Sequence, residues 1–309
     1  MQRAGKIVLL AMTAGLCGLA GQVLIRNTSH VPERRTTIRL DANLVLVPVS
    51  VLDNRGKLVP DLVQADFTLL EEKQSQQIVS FSRENAPVSL GIVVDLSGSM
   101  GSKIRTTRIA VNEFLKNLQP NDEEFLVTFA DRPTLRLPFT SDPSGIYDVL
   151  AGAQTQGSTA LFDAVALAMR EMRGARNQRK ALFLVSDGGD NHSRLTERQL
   201  RQLVEEQEVQ VHAIGIYDRS AGADKAELRG PAILEDLAQM TGGEHYMVNS
   251  SELPALAARL SLSLHDRYLL GYNPAPPGPS GTFRRIEVQV RRPGRNRLSV
   301  YARRGYRMP

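Results

Sequence analysis

Residues 90–99 read Leu-Gly-Ile-Val-Val-Asp-Leu-Ser-Gly-Ser, and this stretch decides how the fold is interpreted. Its first five residues form a short apolar run, which is typical of a strand buried in a parallel sheet. Asp95 ends the run, and Ser97 and Ser99 follow at intervals of two residues. In an extended segment this spacing turns all three side chains to one side. One carboxylate and two hydroxyls are therefore predicted at the sheet edge where doubly wound folds bind ligands.

Alternating strands and helices are predicted outward from this stretch, between residues 87 and 265. The predicted strands are 90–94, 124–129, 134–137, 181–185, 209–216 and 245–248, and the predicted helices are 104–118, 160–172, 196–207, 231–240 and 251–264. Short apolar runs that alternate with amphipathic segments indicate an α/β domain with a mostly parallel, doubly wound sheet.

Both flanks of the α/β block show β patterns. Residues 44–51 alternate with a period of two, and residues 268–272, 283–290 and 297–302 are further predicted strands. Neither flank has enough strands to fold alone. Segments 37–86 and 266–309 are therefore predicted to form one β-sandwich, with the α/β domain 87–265 inserted between its two halves.

The N-terminal region has the pattern of an export signal. Arg3 and Lys6 precede an apolar run over residues 7–20, which is too short to span a bilayer comfortably. Residues 1–22 are predicted to be a signal peptide or, alternatively, an uncleaved N-terminal anchor, and residues 23–36 to be a linker. We therefore expect an exported protein that is periplasmic, cell-surface or secreted, and that contacts a membrane only through an uncleaved leader.

Composition narrows the classes of function. The only cysteine, Cys17, lies in the predicted leader, so the mature chain is expected to have no disulfide, thiolate metal site or cysteine nucleophile. The net charge is +5, with much of the basic excess in residues 284–307, but no nucleic-acid motif accompanies it. Tryptophan is absent and aromatic residues make up 5% of the chain, which leaves few platforms for base stacking. We expect a solvated basic surface and no nucleic-acid partner.

Two more oxygen donors occupy positions equivalent to Asp95. Thr159 directly precedes the predicted helix 160–172, and Asp187 follows the predicted strand 181–185. With Asp95, Ser97 and Ser99 they would supply two carboxylates and three hydroxyls, which suit Mg²⁺, or alternatively Mn²⁺ or Ca²⁺, and leave a coordination position open. Taken singly, each residue is better explained as a helix cap or a turn former. A site that has lost metal binding is the other alternative.

These residues resemble the metal-ion-dependent adhesion site of von Willebrand factor type A domains. The resemblance rests on Asp95-Leu96-Ser97-Gly98-Ser99, on Thr159 in Gly-Ser-Thr-Ala and on Asp187 in Ser-Asp-Gly, and it covers about residues 88–265. It implies a Rossmann-like sheet wrapped by helices, a Mg²⁺ ion, and a protein partner whose Asp or Glu side chain completes the coordination. The flanking segments resemble exported bacterial proteins of this class that are described as acidobacterial type. The paired acidic residues of integrin β-type domains are missing at residues 100–103, so no adjacent calcium site is expected.

The resemblance implies a non-enzymatic, metal-dependent protein-binding and adhesion module of the cell envelope, and the oligomeric state stays open. Met100, Phe162 and His192 are candidates for a rim that touches the partner, with local packing or a solvated loop as their alternatives. A phosphatase-like, Mg²⁺-dependent hydrolase built on Asp95 and Asp187 is the alternative function, although no His or Lys sits at the spacing of a general base.

Overall fold

The computed structural model describes residues 44–187, 189–216, 225–274, 279–294 and 297–308. The predicted leader 1–22 and the linker 23–36 lie outside these residues. No helix within the described ranges is long and apolar enough to cross a membrane. The domain boundaries at residues 37, 87 and 266 stay predictions.

A six-stranded sheet forms the centre of the α/β domain, in the order β10-β9-β8-β5-β6-β7. Neighbouring strands are parallel except for β7, an edge strand that runs antiparallel to β6. Every residue of β5 is buried, because helices cover both faces of the sheet. The strands are β5 (Val88–Asp95), β6 (Glu123–Phe129), β7 (Pro133–Thr140), β8 (Arg179–Ser186), β9 (Gln210–Ile216) and β10 (His245–Val248).

The α-helices of the described residues divide between the two faces of this sheet. One face carries α1 (Ile104–Leu115), α2 (Ser144–Gly152) and α6 (Leu253–Ser263), and the other carries α3 (Leu161–Glu171), α4 (Glu197–Glu205) and α5 (Lys225–Thr241). Ile92 and Val94 of β5 belong to the first core and Val93 to the second, as the two-residue period of a strand requires. The predicted Rossmann-like, doubly wound sheet is confirmed.

The segments on either side of the α/β domain form two four-stranded sheets, in the orders β13-β1-β11-β4 and β14-β12-β2-β3. Val49, Leu69 and Tyr272 share one hydrophobic core, so the two sheets pack face to face. Each sheet takes strands from both ends of the chain, which confirms the predicted β-sandwich with the α/β domain inserted. The strands are β1 (Val45–Leu52), β2 (Phe67–Glu71), β3 (Gln74–Gln76), β4 (Ile78–Asn85), β11 (Asp266–Tyr272), β12 (Phe283–Val290), β13 (Ser299–Ala302) and β14 (Gly305–Arg307).

Two helices differ from the sequence-based prediction. Helix α2 was not predicted, although Asp142 marks its start: the Asp142 carboxylate accepts a hydrogen bond from the Ser144 amide at 3.0 Å, which satisfies a donor at the first turn. Helix α5 begins well before Pro231 and contains that proline, whereas the sequence predicted a helix that opens at it. The described contacts give no physical reason for the helix to continue through Pro231.

The sandwich joins the α/β domain at the amino-terminal edge of the central sheet. Arg267 of β11, a sandwich strand, donates to the Gln210 side-chain oxygen at the start of β9 at 3.5 Å. The Arg179 guanidinium, at the start of β8, donates at 2.5 Å to the carbonyl oxygen of His265, the residue directly before β11. The His265 ring contacts the Asp122 carboxylate, just before β6, at 2.7 Å. Because parallel strands begin at one edge and end at the other, the loops that carry the predicted metal ligands lie at the edge opposite the sandwich.

Candidate metal centre

Three loops come together at the carboxyl edge of the central sheet. The loop after β5 is tied to the loop before α3, because the Gly98 amide donates to the Gly157 carbonyl oxygen at 3.0 Å. The loop before α3 is tied in turn to the loop after β8, because the Asn191 amide donates to the Thr159 carbonyl oxygen at 3.0 Å. The predicted ligands are distributed over these three loops: Asp95, Ser97 and Ser99 on the first, Thr159 on the second and Asp187 on the third.

The Asp95 side chain is fully buried at the end of β5. Its Oδ1 accepts from the Ser97 amide at 2.8 Å and its Oδ2 accepts from the Ser186 hydroxyl at 2.6 Å. Burial and, secondarily, the negative charge of Asp187 raise the pKa of Asp95 to about 7, against the smaller opposing effect of these hydrogen bonds. Two carboxylates therefore repel each other in a poorly solvated place, which a bound cation would relieve.

Asp187 has a different partner. The Lys103 ammonium donates to Asp187 Oδ2 at 3.0 Å, and both side chains are about nine-tenths buried, at 10% and 8% exposure. Asp187 Oδ1 is also buried, yet within the described part of the chain no donor reaches it. Such an orphaned carboxylate oxygen is rare in folded proteins and is suited to receive a cation. Sequence reasoning missed Lys103, because its pairing with Asp187 joins residues 84 positions apart in the chain.

The hydroxyls do not act as helix caps. Ser97 stands before a short 3₁₀ turn without a capping hydrogen bond from its side chain, and its hydroxyl lies 3.1 Å from that of Ser99. The residue at the start of α3 is Ala160, also without a side-chain cap, so Thr159 is not that cap either. The capping alternative is therefore wrong for Ser97 and Thr159, and their hydroxyls need another role.

Thr159 is held from both sides of its peptide backbone. Its amide donates to the Asn191 side-chain oxygen at 2.8 Å, and its carbonyl oxygen accepts from the Asn191 and His192 amides at 3.0 and 3.2 Å. Asn191 lies four positions after Asp187 in the chain. The loop after β8 thus supplies a predicted ligand and also positions the loop that carries another.

The predicted rim is only partly available to a partner. Met100 is fully buried and Phe162 is 7% exposed, so they pack into the two cores on either side of the sheet. The structure shows local packing, which was the alternative for these two residues. The rim prediction is wrong for them, because their apolar side chains are removed from water. His192 is exposed, and its charge helps to lower the pKa of Asp131, after the hydrogen bond from the Ser158 amide.

The donor chemistry fits a hard cation. Two carboxylates and several hydroxyls offer only oxygen, which suits Mg²⁺, Mn²⁺ or Ca²⁺ better than zinc or copper. Within the described ranges no group of three or more His, Cys, Asp or Glu side chains gathers to hold a metal. The candidate centre therefore depends on hydroxyl ligands as well as on Asp95 and Asp187.

Lys103 is not placed to act as a general base at this centre. Its ammonium contacts the Asp187 carboxylate, with which it forms an ion pair. A general base must be within hydrogen-bond reach of the proton that it removes and must be free to accept it, and a protonated lysine is a donor only.

The comparisons with known proteins agree with the fold of the central domain. Residues 90–189 match the family model of the von Willebrand factor type A domain. Among solved structures, the von Willebrand factor type A protein from Catenulispora acidiphila has a TM-score of 0.51 at 12% identity, and the match covers 86% of this chain and 73% of that chain. At this identity the likeness shows the fold alone.

Two curated proteins are similar in sequence. Inter-alpha-trypsin inhibitor heavy chain H4 of Bos taurus is 31% identical over 103 residues, which are 31% of this chain and 11% of that protein. An uncharacterized protein of Borreliella burgdorferi is 24% identical over 189 residues, which are 53% of this chain and 55% of that protein. The match therefore spans about a tenth of the length of the first relative and about half of the length of the second.

Proposed function

Because the chain carries a von Willebrand factor type A domain, we propose that it is a non-enzymatic binding protein that captures a protein partner through a metal ion. Domains of this type generally mediate protein–protein interaction and adhesion. The proposed ligands are Asp95, Ser97, Ser99, Thr159 and Asp187, the proposed cation is Mg²⁺, and the proposed target is an Asp or Glu side chain of the partner.

One observation carries the proposal: a buried carboxylate oxygen, Asp187 Oδ1, has no donor within the described part of the chain and lies beside a second buried carboxylate, Asp95. An unpaired buried polar atom costs free energy, and a structure retains it where a function needs it. A divalent cation would satisfy that oxygen and remove the repulsion between the two aspartates.

The chain's own residues would prepare this site. Ser186 and the Ser97 amide hold the Asp95 carboxylate in one orientation, and Asn191 fixes the backbone of Thr159. When bound, the cation supplies a positive charge with a coordination position that an acidic side chain can fill. Ordinary contacts from the surrounding loops, including the exposed His192, would add to that central interaction.

We further propose that the protein acts outside the cytoplasm, in the periplasm, on the cell surface or in the medium. This proposal rests on the pattern of residues 1–22, with Arg3 and Lys6 ahead of the apolar run. Mass spectrometry of the N-terminus of the exported protein tests it. A retained Met1 would rule out cleavage and leave the anchor as the alternative.

Isothermal titration with Mg²⁺ tests the metal site. The native chain should bind one cation, Asp187→Asn should lose that binding, and Asp131→Asn should retain it. Asp131 is a suitable control because it lies at the same sheet edge but uses its Oδ1 to accept from the Ser158 amide, an interaction that asparagine keeps. A native chain that binds no divalent cation, or an Asp187→Asn variant that binds as well as the native chain, would refute the metal site.

The partner is tested separately by affinity capture from envelope extract in Mg²⁺ and in EDTA. Captured proteins should be lost in EDTA and with Asp187→Asn, and a single Asp→Asn or Glu→Gln change in the partner should abolish binding. If EDTA and Asp187→Asn both leave the amount of captured protein unchanged, the result would argue against a metal-bridged contact. The same protein can be assayed for phosphatase activity, and turnover that Asp95→Ala abolishes would favour the hydrolase alternative.

A further inference from the structure

We propose that Lys103 is a built-in counter-ion that competes with the divalent cation for Asp187, so that the affinity of the site is set by the displacement of a lysine. The inference rests on the proposed metal-binding function and concerns the regulation of that same site. In this view the ammonium neutralises Asp187 when no cation is present and leaves the carboxylate when a cation enters.

The burial of Lys103 is the first observation that supports this role. Lysine is almost never fully buried unless it is paired, and the Lys103 side chain is 10% exposed with its ammonium 3.0 Å from Asp187 Oδ2. Among the described residues, Asp187 is the hydrogen-bond partner of the Lys103 ammonium. The side chain is therefore held in place by the same carboxylate that the cation would use.

The division of the Asp187 carboxylate is the second observation. Lys103 occupies Oδ2 while Oδ1 stays without a donor in the described residues. When both carboxyl groups are ionised, the pair formed by Asp95 and Asp187 carries two negative charges, and the ammonium cancels one of them. An entering divalent cation thus meets about half of the attraction that two free carboxylates would offer, and it is repelled by the ammonium at short range.

The backbone of Lys103 has a separate structural role, so the side chain can be replaced without disturbing the start of α1. The Lys103 carbonyl oxygen accepts from the Thr107 amide at 2.9 Å and from the Thr107 hydroxyl at 3.1 Å, and so begins α1. These bonds do not depend on the side chain. Methionine can therefore replace lysine with a similar apolar stem and without the charge.

Titration of Mg²⁺ into the native chain, Lys103→Met, Lys103→Arg and Lys116→Met tests the inference. Lys103→Met should bind Mg²⁺ about tenfold more tightly or better, because one opposing charge is gone, whereas Lys103→Arg should stay near the native affinity. Lys116→Met is the matched control: it removes the same charge from the far end of α1, where Lys116 is exposed and pairs with Glu113. It should leave Mg²⁺ affinity unchanged.

A second measurement uses the native chain and does not depend on how a variant folds. Amine acetylation, quantified by mass spectrometry, should label Lys103 slowly in EDTA and several-fold faster in saturating Mg²⁺, because the ammonium loses its buried partner. Lys116 serves as the internal standard whose labelling rate should not respond to Mg²⁺. A Lys103 labelling rate that Mg²⁺ leaves unchanged would overturn the inference.

The outcomes separate this inference from the function on which it rests. If the native chain binds Mg²⁺ and Lys103→Met binds it equally or more weakly, the counter-ion role falls while the metal-binding function stands. If Lys103→Met binds Mg²⁺ and the native chain does not, competition by lysine is upheld and the proposed function of the native chain fails. If neither binds, both fall.

Discussion

Replacing Asp95 by asparagine should stabilise the metal-free protein at neutral pH while it removes cation binding. Asparagine keeps an Oδ1 that accepts from the Ser97 amide, a bond of 2.8 Å in this structure. It removes a charge that is fully buried and that faces the carboxylate of Asp187. The loss of a functional group would thus improve stability, which is the behaviour expected of a site that stores unfavourable electrostatics for use in binding.

The magnitude follows from the pKa of Asp95. Burial first, and the charge of Asp187 second, raise the pKa of Asp95 from its ordinary value of 3.8 to about 7. Between these two values the folded protein holds a proton that the unfolded chain has released, so the free energy of unfolding falls as the pH rises. At about 1.4 kcal/mol per pKa unit, the roughly three-unit shift amounts to about 4 kcal/mol, an upper bound that is reached above pH 7.

Urea unfolding in EDTA, followed by circular dichroism between pH 4 and pH 8.5, measures this effect. The advantage of Asp95→Asn over the native chain should be near zero at about pH 4, grow by about 1.4 kcal/mol per pH unit, and level off near pH 7. Asp131→Asn should show no such gain, because the Asp131 pKa is lowered by the hydrogen bond from the Ser158 amide. Saturating Mg²⁺ should reduce the advantage, because the native chain alone gains stability from binding.

Two results would refute this reasoning. An Asp95→Asn variant that is less stable than the native chain at pH 8 in EDTA would show that the Asp95 carboxylate is favourable in the fold. A constant difference across the whole pH range would show that a packing change, and not the titration of Asp95, separates the two proteins. In both cases the Asp95 environment would be better solvated or better neutralised by Lys103 than the geometry implies.

Substitutions at three further positions probe the loops and the sandwich. Asn191→Ala should weaken Mg²⁺ binding several-fold in calorimetry, because the Thr159 amide loses its 2.8 Å hydrogen bond to the Asn191 side chain. Asn191→Asp keeps the acceptor and should therefore bind Mg²⁺ better than Asn191→Ala. Equal affinities for the native chain and both variants would contradict this. Gly157→Ala should lower the free energy of unfolding in urea by about 1–2 kcal/mol, because Gly157 has a φ of +79° and a Cβ there would lie 2.7 Å from an Asp131 carboxylate oxygen. An unchanged free energy of unfolding would argue against this loop conformation. Tyr268→Phe should cost roughly 1–3 kcal/mol of stability, because the buried hydroxyl donates to the Val59 carbonyl oxygen at 2.6 Å and accepts from the Leu62 amide at 3.0 Å, and it should leave Mg²⁺ affinity unaltered.

The central sheet and the placement of Asp95 and Asp187 at its edge were predictable because their information is local. A buried parallel strand is a short apolar run, and residues 90–94 show it directly. The chain then places Asp95 and Asp187 just where two such runs end. Since parallel strands end at one edge, strand assignment alone brings both aspartates to the same side of the domain.

The contacts within the site were not predictable, since they join distant residues. Lys103 and Asp187 are 84 positions apart, and Thr159 and Asn191 are 32 apart. No periodicity or spacing rule links such residues, because their approach depends on how the loops pack after the sheet has formed. Glu72 and Lys73 illustrate a local failure: both have positive φ in the turn between β2 and β3, a conformation that sequence rules assign to Gly, Asn or Asp.

The basic C-terminal region changes meaning once its contacts are known. Five of its arginines pair with acidic side chains in the described structure, and three of these partners lie on the α/β domain: the pairs are Arg284–Glu71, Arg292–Asp61, Arg303–Glu208, Arg304–Asp236 and Arg307–Glu205. The positive charge that the sequence alone predicts to be a solvated basic surface thus helps to hold the two β halves together and to hold the sandwich against the inserted domain. The exposed pairs among them contribute little stability singly, whereas the Arg284 and Glu71 side chains are only 13% and 2% exposed. All of the pairs reduce the positive field that a distant acidic partner would feel. The recognition of an acidic side chain would then have to come from the opposite edge of the sheet, where the balance between Asp95, Asp187 and Lys103 sets the local charge.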